Sequence, residues 1–379
     1  MTDVTIFAPS PILTVTVEDH PAGDEIHVHA GGQGVWQARM LRRLGSTVTM
    51  CCVLSGETGA VLRHLLEDEG VTVDAIERAG RGAAYLHDRR SGERRSVAEE
   101  PGEPLGRHDL DELYGRVLRS ALDSSVTILS GPADASALPP DTYRRLAADL
   151  RAAGTAVAAD LAGERLVAAV DGGLRLLKVS DEELLADGLL GTGRARSEGD
   201  ERPEVGAVAA AMRALRDRGA QTVIVTRSSE PLLLLDEQGL VEVAPPKLEA
   251  ADPRGAGDSL FAGTVSGLAR GESIRQAVTL GAAAGALNVT RHGLGSGDAE
   301  AVERLRRTVA VRELVDAAGS PGPGVAAPPP PSGFPPADRP VSGRVSPEGL
   351  ASLAVPATGP VPVTGPAPLV GEPEPEPAP

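Results

Sequence analysis

The amino-acid sequence predicts an α/β fold of three layers: a mainly parallel central sheet, helices on both of its faces, and a small additional β layer. Three observations carry that prediction. Short apolar runs alternate with helix-period patterns from residue 108 onward, which is how strands buried on both faces read. Two early regions alternate with period two instead, so each has one wet face and does not fit such a sheet. Aromatic residues make up only 2% of 379, so the core must be built from Ala, Val and Leu.

Residues 4–9 read as a buried strand, and residues 13–18 and 25–30 as alternating strands. His27 and His29 would share a face; two histidines without a third ligand are weak evidence for a metal. The glycine cluster Gly31-Gly32-Gln33-Gly34 opens a helix with Val35, Ala38, Leu41 and Leu44 on its apolar side, and Gly45 is its stop signal. A strand from Thr47 to Leu54, a Gly-rich turn over 55–59 and a helix to Gly70 follow. Residues 83–88 and 94–99 straddle a turn and read as a second hairpin. Beyond it, strands are expected at 126–130, 156–160, 174–179, 222–226 and 232–235. Helices are expected at 108–122, 140–153, 204–218, 257–270, 273–290 and 299–316.

The domain so predicted spans residues 1–318. In residues 319–379 the composition changes: nineteen of the 32 prolines lie there. Such a segment cannot bury enough apolar surface to fold and is expected to be an extended, disordered tail. It is either a ligand for an aromatic groove or simply solvated.

A net charge of −16 argues against a nucleic-acid or anionic-membrane surface, though not against a small anionic ligand at a local site. Cys51 and Cys52 are neighbours in an apolar run and read as buried thiols in a reducing compartment. The sequence shows no apolar stretch of spanning length and no basic-then-apolar leader, so a cytoplasmic protein is expected.

The stretch Glu249 to Gly263 carries the chemistry. Asp252, Pro253 and Gly255-Ala256-Gly257-Asp258 read as a loop, and from Asp258 a helix places Phe261, Val265 and Leu268 on one face. Small-residue amides and a carboxylate thus meet at a helix N-terminus, where unsatisfied N–H groups favour an anion. A carboxylate there is placed to take the proton of a hydroxyl attacking that anion. Gly-x-Gly-Asp alone is a weak signal; its setting strengthens it.

With those residues in view, the chain resembles the ribokinase/PfkB sugar kinases. Asp252-Pro-Arg-Gly-Ala-Gly-Asp258 is similar to their C-terminal Asp-Thr-x-Gly-Ala-Gly-Asp, and Gly31 to Gly34 with Ala38 and Leu44-Gly45 to their N-terminal Gly-Gly-Lys-Gly-x-Asn-x-Ala. Leu129-Ser-Gly-Pro132 and Leu177-Lys-Val-Ser-Asp-Glu-Glu-Leu184 resemble segments of the 1-phosphofructokinase and tagatose-6-phosphate kinase branch. The resemblance implies a ribokinase-like fold and an enzyme moving the γ-phosphoryl group of ATP to a hydroxyl of a sugar or sugar phosphate, with Mg²⁺ bridging phosphates.

It assigns Asp258 as base and the amides of Gly255, Ala256 and Gly257 as an anion hole. It places Thr226, Lys178 and Asn288 on the nucleotide and Gly31, Gly32, Gln33 and Trp36 on the acceptor. Glu183 is either an indirect organiser of the metal or a surface carboxylate at a helix start. Asn288 is equally a packing contact, and Trp36 either a ligand contact or core. The two early hairpins become a lid, through which a homodimer is expected.

The sequence departs from the family on the acceptor side. Ile12 stands where an Asp is usual, Gln33 where a Lys is, Trp36 where an Asn is, and Ala83 ends the Arg-x-Asn segment of the lid. On the nucleotide side, Ser228 and Pro231 stand at usual glycines. A more apolar pocket and a less anionic acceptor are expected from these changes. The competing hypothesis is a non-catalytic descendant that binds a nucleotide or metabolite.

Overall fold

The computed structural model describes residues 2–21, 23–132, 138–190, 203–246, 248, 254–290, 295 and 297–314. Asp252, Pro253 and the Pro-rich tail therefore lie outside the described residues.

In chain order the elements are β1 (Thr2–Phe7), β2 (Ile12–Glu18), β3 (Glu25–Gly31), α1 (Gln33–Arg43), β4 (Val48–Ser55), α2 (Gly56–Asp68) and β5 (Thr72–Arg78). Then come β6 (Ala84–Asp88), β7 (Arg95–Glu100), α3 (Arg107–Ala121), β8 (Ser124–Ser130), α4 (Pro140–Ala152), β9 (Ala156–Asp160), α5 (Gly163–Gly172), β10 (Leu176–Ser180) and α6 (Asp181–Ala186). The last are α7 (Val205–Arg218), β11 (Val223–Arg227), β12 (Glu230–Asp236), β13 (Gly239–Ala244), α8 (Ala256–Ala269), α9 (Ile274–Asn288), α10 (Ala299–Arg306) and β14 (Ala310–Glu313).

Ten strands form the central sheet in the order β14-β13-β12-β11-β10-β9-β8-β1-β4-β5. From β11 to β5 every pairing is parallel, while β12, β13 and β14 add an antiparallel edge. Side chains alternate between two cores. Val4, Ile6, Val126 and Ile128 point into the layer holding α1, α8 and α9, whereas Phe7 and Leu129 point into the layer holding α3, α4 and α7. Cys51 and Cys52 fall on opposite faces, so they cannot bond; both are buried and free, and burial pushes the Cys51 thiol up to about 12.

The period-two regions form one four-stranded sheet, β3-β2-β6-β7, with β2 and β6 parallel. Its amphipathy is inverted. The polar face, with Thr14, Thr16 and His87, is buried, and the apolar face leaves Ile26 and Val28 exposed. A lid over the body of the molecule accounts for the buried polar side.

Several expectations are corrected. The turn placed at 55–59 is already the first turn of α2. The helix placed at 299–316 stops at Arg306, and Ala310–Glu313 joins the sheet edge as a strand. The strand β5 was not anticipated, although Val71-Thr-Val-Asp-Ala-Ile alternates; nor were β13, α5 and α6. Among the described residues no helix is long and apolar enough to cross a membrane.

Candidate active site

The site is assembled at the C-terminal ends of the parallel strands, where open α/β sheets leave a crevice. Ser130 and Asp160 end β8 and β9, and Lys178 in the middle of β10 lies in the same register row. Two residues earlier on each strand, Ile128, Ala158 and Leu176 face the core beneath α8, so period two aims the polar row to the same side. Lys178 Nζ lies 3.0 Å from Asp160 Oδ1, and both side chains are almost completely buried. Gln37, fully buried on α1, donates its Nε2 to Asp160 Oδ2 at 3.4 Å and accepts at Oε1 from Ser130 Oγ at 2.5 Å.

Over this row sits the N-terminus of α8. Gly255 is its cap in the left-handed region (φ 71°), a conformation that costs a residue with a Cβ about 1 kcal/mol or more. The first-turn amides of Ala256 and Gly257 have no carbonyl one turn back to bond, which leaves them for an anion. Asp258 is in that turn. A Cβ added to Gly257 would stand 3.1 Å from Lys178 Nζ, so the ammonium lies directly against the anion loop.

The charges are interdependent. Burial raises the Asp258 carboxyl to about 7, the carboxylate of Asp160 adds to the rise, and Lys178 with Gln37 opposes it. Burial also raises Asp160, offset in part by Lys178 and Gln37. For Lys178, burial works against the charged form, yet Asp160, Asp258 and Glu183 together hold it well above the ordinary lysine value. The group thus holds a fixed cation among three carboxylates, one of which titrates near neutrality.

The other expected site residues fall around this centre in different ways. Gln33 accepts from the Gly131 amide at 2.9 Å, tying the start of α1 to the end of β8. Gly34 is a place where only hydrogen fits, because a Cβ would come 2.5 Å from that of Ala8. Gly32 caps α1 at φ 101° beside Ile12. Gly31 packs on Thr14, and Trp36 is half-buried on α1.

Glu183 forms a reciprocal cap with Ser180: its Oε2 accepts from the Ser180 amide at 2.7 Å and from Ser180 Oγ at 2.8 Å. It is therefore a helix-start carboxylate, and its charge still acts on Lys178 and Asp258. Asn288 spends both ends of its amide inside the protein, on the Arg254 carbonyl at 2.8 Å and the Gly295 amide at 2.9 Å. These two bonds tie down the loop entering α8. Thr226 is the half-buried penultimate residue of β11, and Ser228, at a usual glycine, adopts φ 50°.

Asp160, Gln37 and Ser130 were not singled out from the sequence as site residues. The available signal was a carboxylate closing an all-apolar strand at 156–160, opposite a lysine inside another such strand. Neither is expected in a buried sheet unless paired. Among the described residues no three carboxylate, imidazole or thiol groups converge as a metal cage.

The family model for pfkB family carbohydrate kinases matches residues 1–301. The 6-phosphofructokinase isozyme 2 of Mycobacterium tuberculosis is 31% identical over 73% of this chain and 78% of its own length. The 1-phosphofructokinase of Vibrio cholerae is 26% identical over 77% of this chain and 89% of its own. Among solved structures, phosphofructokinase-2 from Escherichia coli in complex with potassium superposes with a TM-score of 0.70 at 24% identity, covering 81% of this chain and 99% of that one. The ribokinase of Thermotoga maritima gives 0.63 at 19% identity, over 81% of this chain and all of that one, which fixes the fold as ribokinase-like. With the strand-end row, the glycine cap of α8 and a family match across most of its length, the chain belongs to the pfkB family of carbohydrate kinases.

Proposed function

We propose that the protein transfers the γ-phosphoryl group of ATP to a hydroxyl of a phosphorylated ketohexose, in the manner its relatives' names describe. The observation that carries this is Asp258, half-buried at the N-terminus of α8 with its carboxyl near 7, against the anion loop and Lys178. A base of that strength is half-ionised at neutral pH and takes a hydroxyl proton efficiently. The amides of Gly255, Ala256 and Gly257 would meet the charge developing on the transferred group, and Lys178 would neutralise it from below. Asp160 and Gln37 hold Lys178 and Asp258 in place. Thr226 would offer its hydroxyl to the nucleotide, and Gln33 and Trp36 would border the acceptor. Mg²⁺, when bound, would supply positive charge to the nucleotide phosphates, and the Glu183 carboxylate, held at the start of α6 by Ser180, would add negative charge to its surroundings.

ATP and phosphorylated sugars as substrates, with two buried free thiols, support a cytoplasmic setting. The exposed apolar face of the lid, with Ile26 and Val28 on its edge strand β3, supports a homodimer through that face.

The test is acceptor-dependent ADP release from Mg-ATP. The panel contains fructose 1-phosphate, fructose 6-phosphate, tagatose 6-phosphate, free sugars and nucleosides, and each is run with wild type and Asp258→Asn. No acceptor-dependent release from any compound would overturn the kinase reading. Turnover undiminished by Asp258→Asn would overturn the base.

A further inference from the structure

The end of β8 is gripped from both helical layers. From α4, the phenol of Tyr143, fully buried and edge-on to Phe7 at 5.6 Å, donates to the Ser130 carbonyl at 3.0 Å. From α1, Gln33 accepts at Oε1 from the Gly131 amide, and one turn on, Gln37 accepts at Oε1 from Ser130 Oγ. Between the two glutamines lies Gly34, where an added Cβ would come 3.4 Å from the Ser130 side chain. Residues i and i+4 share a helix face, so α1 holds this strand end along one edge.

These bonds decide which way the Gln37 amide points. An ionised carboxylate only accepts, so a primary amide beside carboxylates must turn its NH2 toward them and its oxygen away. Ser130 Oγ supplies the donor that the oxygen then needs, on a backbone that Tyr143 and Gln33 keep from turning. The Nε2 group is left with two N–H donors, and two carboxylates receive them: Asp160 Oδ2 at 3.4 Å, and Asp258. Around Asp258 stand Asp160 from β9, Lys178 from β10, Glu183 from α6 and Gln37 from α1. The two carboxylates oppose ionisation of Asp258, and Lys178 and Gln37 favour it. Lys178 is already the ion-pair partner of Asp160 at 3.0 Å, so Gln37 is the uncharged bridge between the two acids. A reversed amide would set its carbonyl oxygen against both carboxylates and leave the Ser130 hydroxyl facing a donor.

We propose that Gln37 is the positioning residue of the base and that Ser130 acts through it: the Ser130 hydroxyl locks the amide so that its two N–H groups span Asp160 and Asp258 and hold the ionised Asp258 in one orientation. The assignment rests on reading Asp258 as the base and deepens it.

The test follows the Asp258 carboxyl itself, by ¹³C NMR of the full chain labelled at the aspartate side-chain carboxyl. The resonance missing from Asp258→Asn identifies it. Gln37→Met keeps an unbranched side chain and removes both donors. Its Asp258 midpoint should rise by about one to two pH units, a proton held about 10- to 100-fold more tightly, as expected for losing a hydrogen bond to a charged group. Ser130→Ala should move the midpoint the same way by about three- to tenfold in affinity, because the amide remains but is free to turn. The double variant should move it no further than Gln37→Met alone, since Ser130 then has nothing to act through. Ser120→Ala, which takes a hydroxyl from Asp74 in the opposite layer, is the control and should leave the midpoint unchanged. The proposal is overturned if Gln37→Met leaves the midpoint in place or lowers it, if Ser130→Ala leaves it in place, or if the two shifts add. Each single variant is decisive without the other, and a cooperative urea transition certifies its fold. No substrate is present, so absence of turnover would sink the kinase reading and leave these midpoints untouched.

Discussion

Asp258→Asn should make the protein more stable while making it inactive, and the gain should depend on pH. The carboxyl is raised from its ordinary 3.8 to about 7 in the fold. The folded state therefore binds this proton more tightly than the unfolded chain does. Stability from that proton is fully present below about pH 4 and is lost as pH rises through 7, where the fold must keep a desolvated carboxylate. At about 1.4 kcal/mol per tenfold change in proton affinity, the full cost is about 4 kcal/mol. Asparagine keeps the shape without the charge, and Lys178 keeps its partner Asp160. Urea unfolding of both proteins should show the variant ahead by about 1–2 kcal/mol at pH 5 and about 4 kcal/mol at pH 8, with equal m-values. Phosphoryl transfer should fall by about 10²- to 10⁴-fold, the usual contribution of a general base. A variant no more stable than wild type at pH 8, or a difference that fails to grow from pH 5 to 8, would refute the assignment of Asp258 as a desolvated, costly base.

Four more outcomes are expected. The pH profile of wild-type kcat/KM should rise with unit slope and bend near pH 7, and a bend near pH 4 would show Asp258 to be an ordinary carboxylate. Gly34→Ala should cost about 1–3 kcal/mol by chemical denaturation, because its methyl meets the Ala8 side chain across a packed helix–strand contact; an unchanged midpoint would contradict that packing. Ser228→Val should cost about 1–3 kcal/mol while Ser228→Gly costs little, since the site holds φ 50°; equal effects would mean the conformation is not required. Asn288→Ala strands the Arg254 carbonyl and the Gly295 amide, at about 1–3 kcal/mol for each buried group. It should lower kcat more than it raises KM for ATP, and wild-type kinetics would remove its role in holding the loop.

What was legible in the sequence follows from which interactions are local. The strands at 126–130 and 156–160 and the helices at 140–153 and 204–218 were readable because periodicity is local and their burial is uniform. The edge was harder. Strand β5 and the pair β13 and β14 pack on one side or lie exposed, so their patterns are mixed. Helix α6 is only Asp181–Ala186 and owes its start to a Ser180–Glu183 cap, not to an apolar stripe. In the site, Asp258 and its glycines were visible as a contiguous string. The row Ser130, Asp160, Lys178 was not, because its members are 48 residues apart in sequence from first to last and meet only through strand register. Gln37 was invisible for the same reason: a polar residue on a helix reads as solvent-facing until the opposing strands are known.

That division explains how the acceptor positions can change while the phosphoryl-transfer apparatus stays intact. Ser130, Asp160, Lys178 and the α8 cap belong to the central sheet and the helix pair above it. There a Cβ on Gly281 of α9 would drive into Thr264 and the backbone of α8, so the two helices pack with no slack. A change in this body disturbs the buried Lys178–Asp160 pair, and removing one partner of such a pair costs about 3–5 kcal/mol. Ile12 and Ala83 are buried where the chain enters the lid strands β2 and β6. Replacement there leaves the strand row beneath α8 untouched, because neither residue belongs to it.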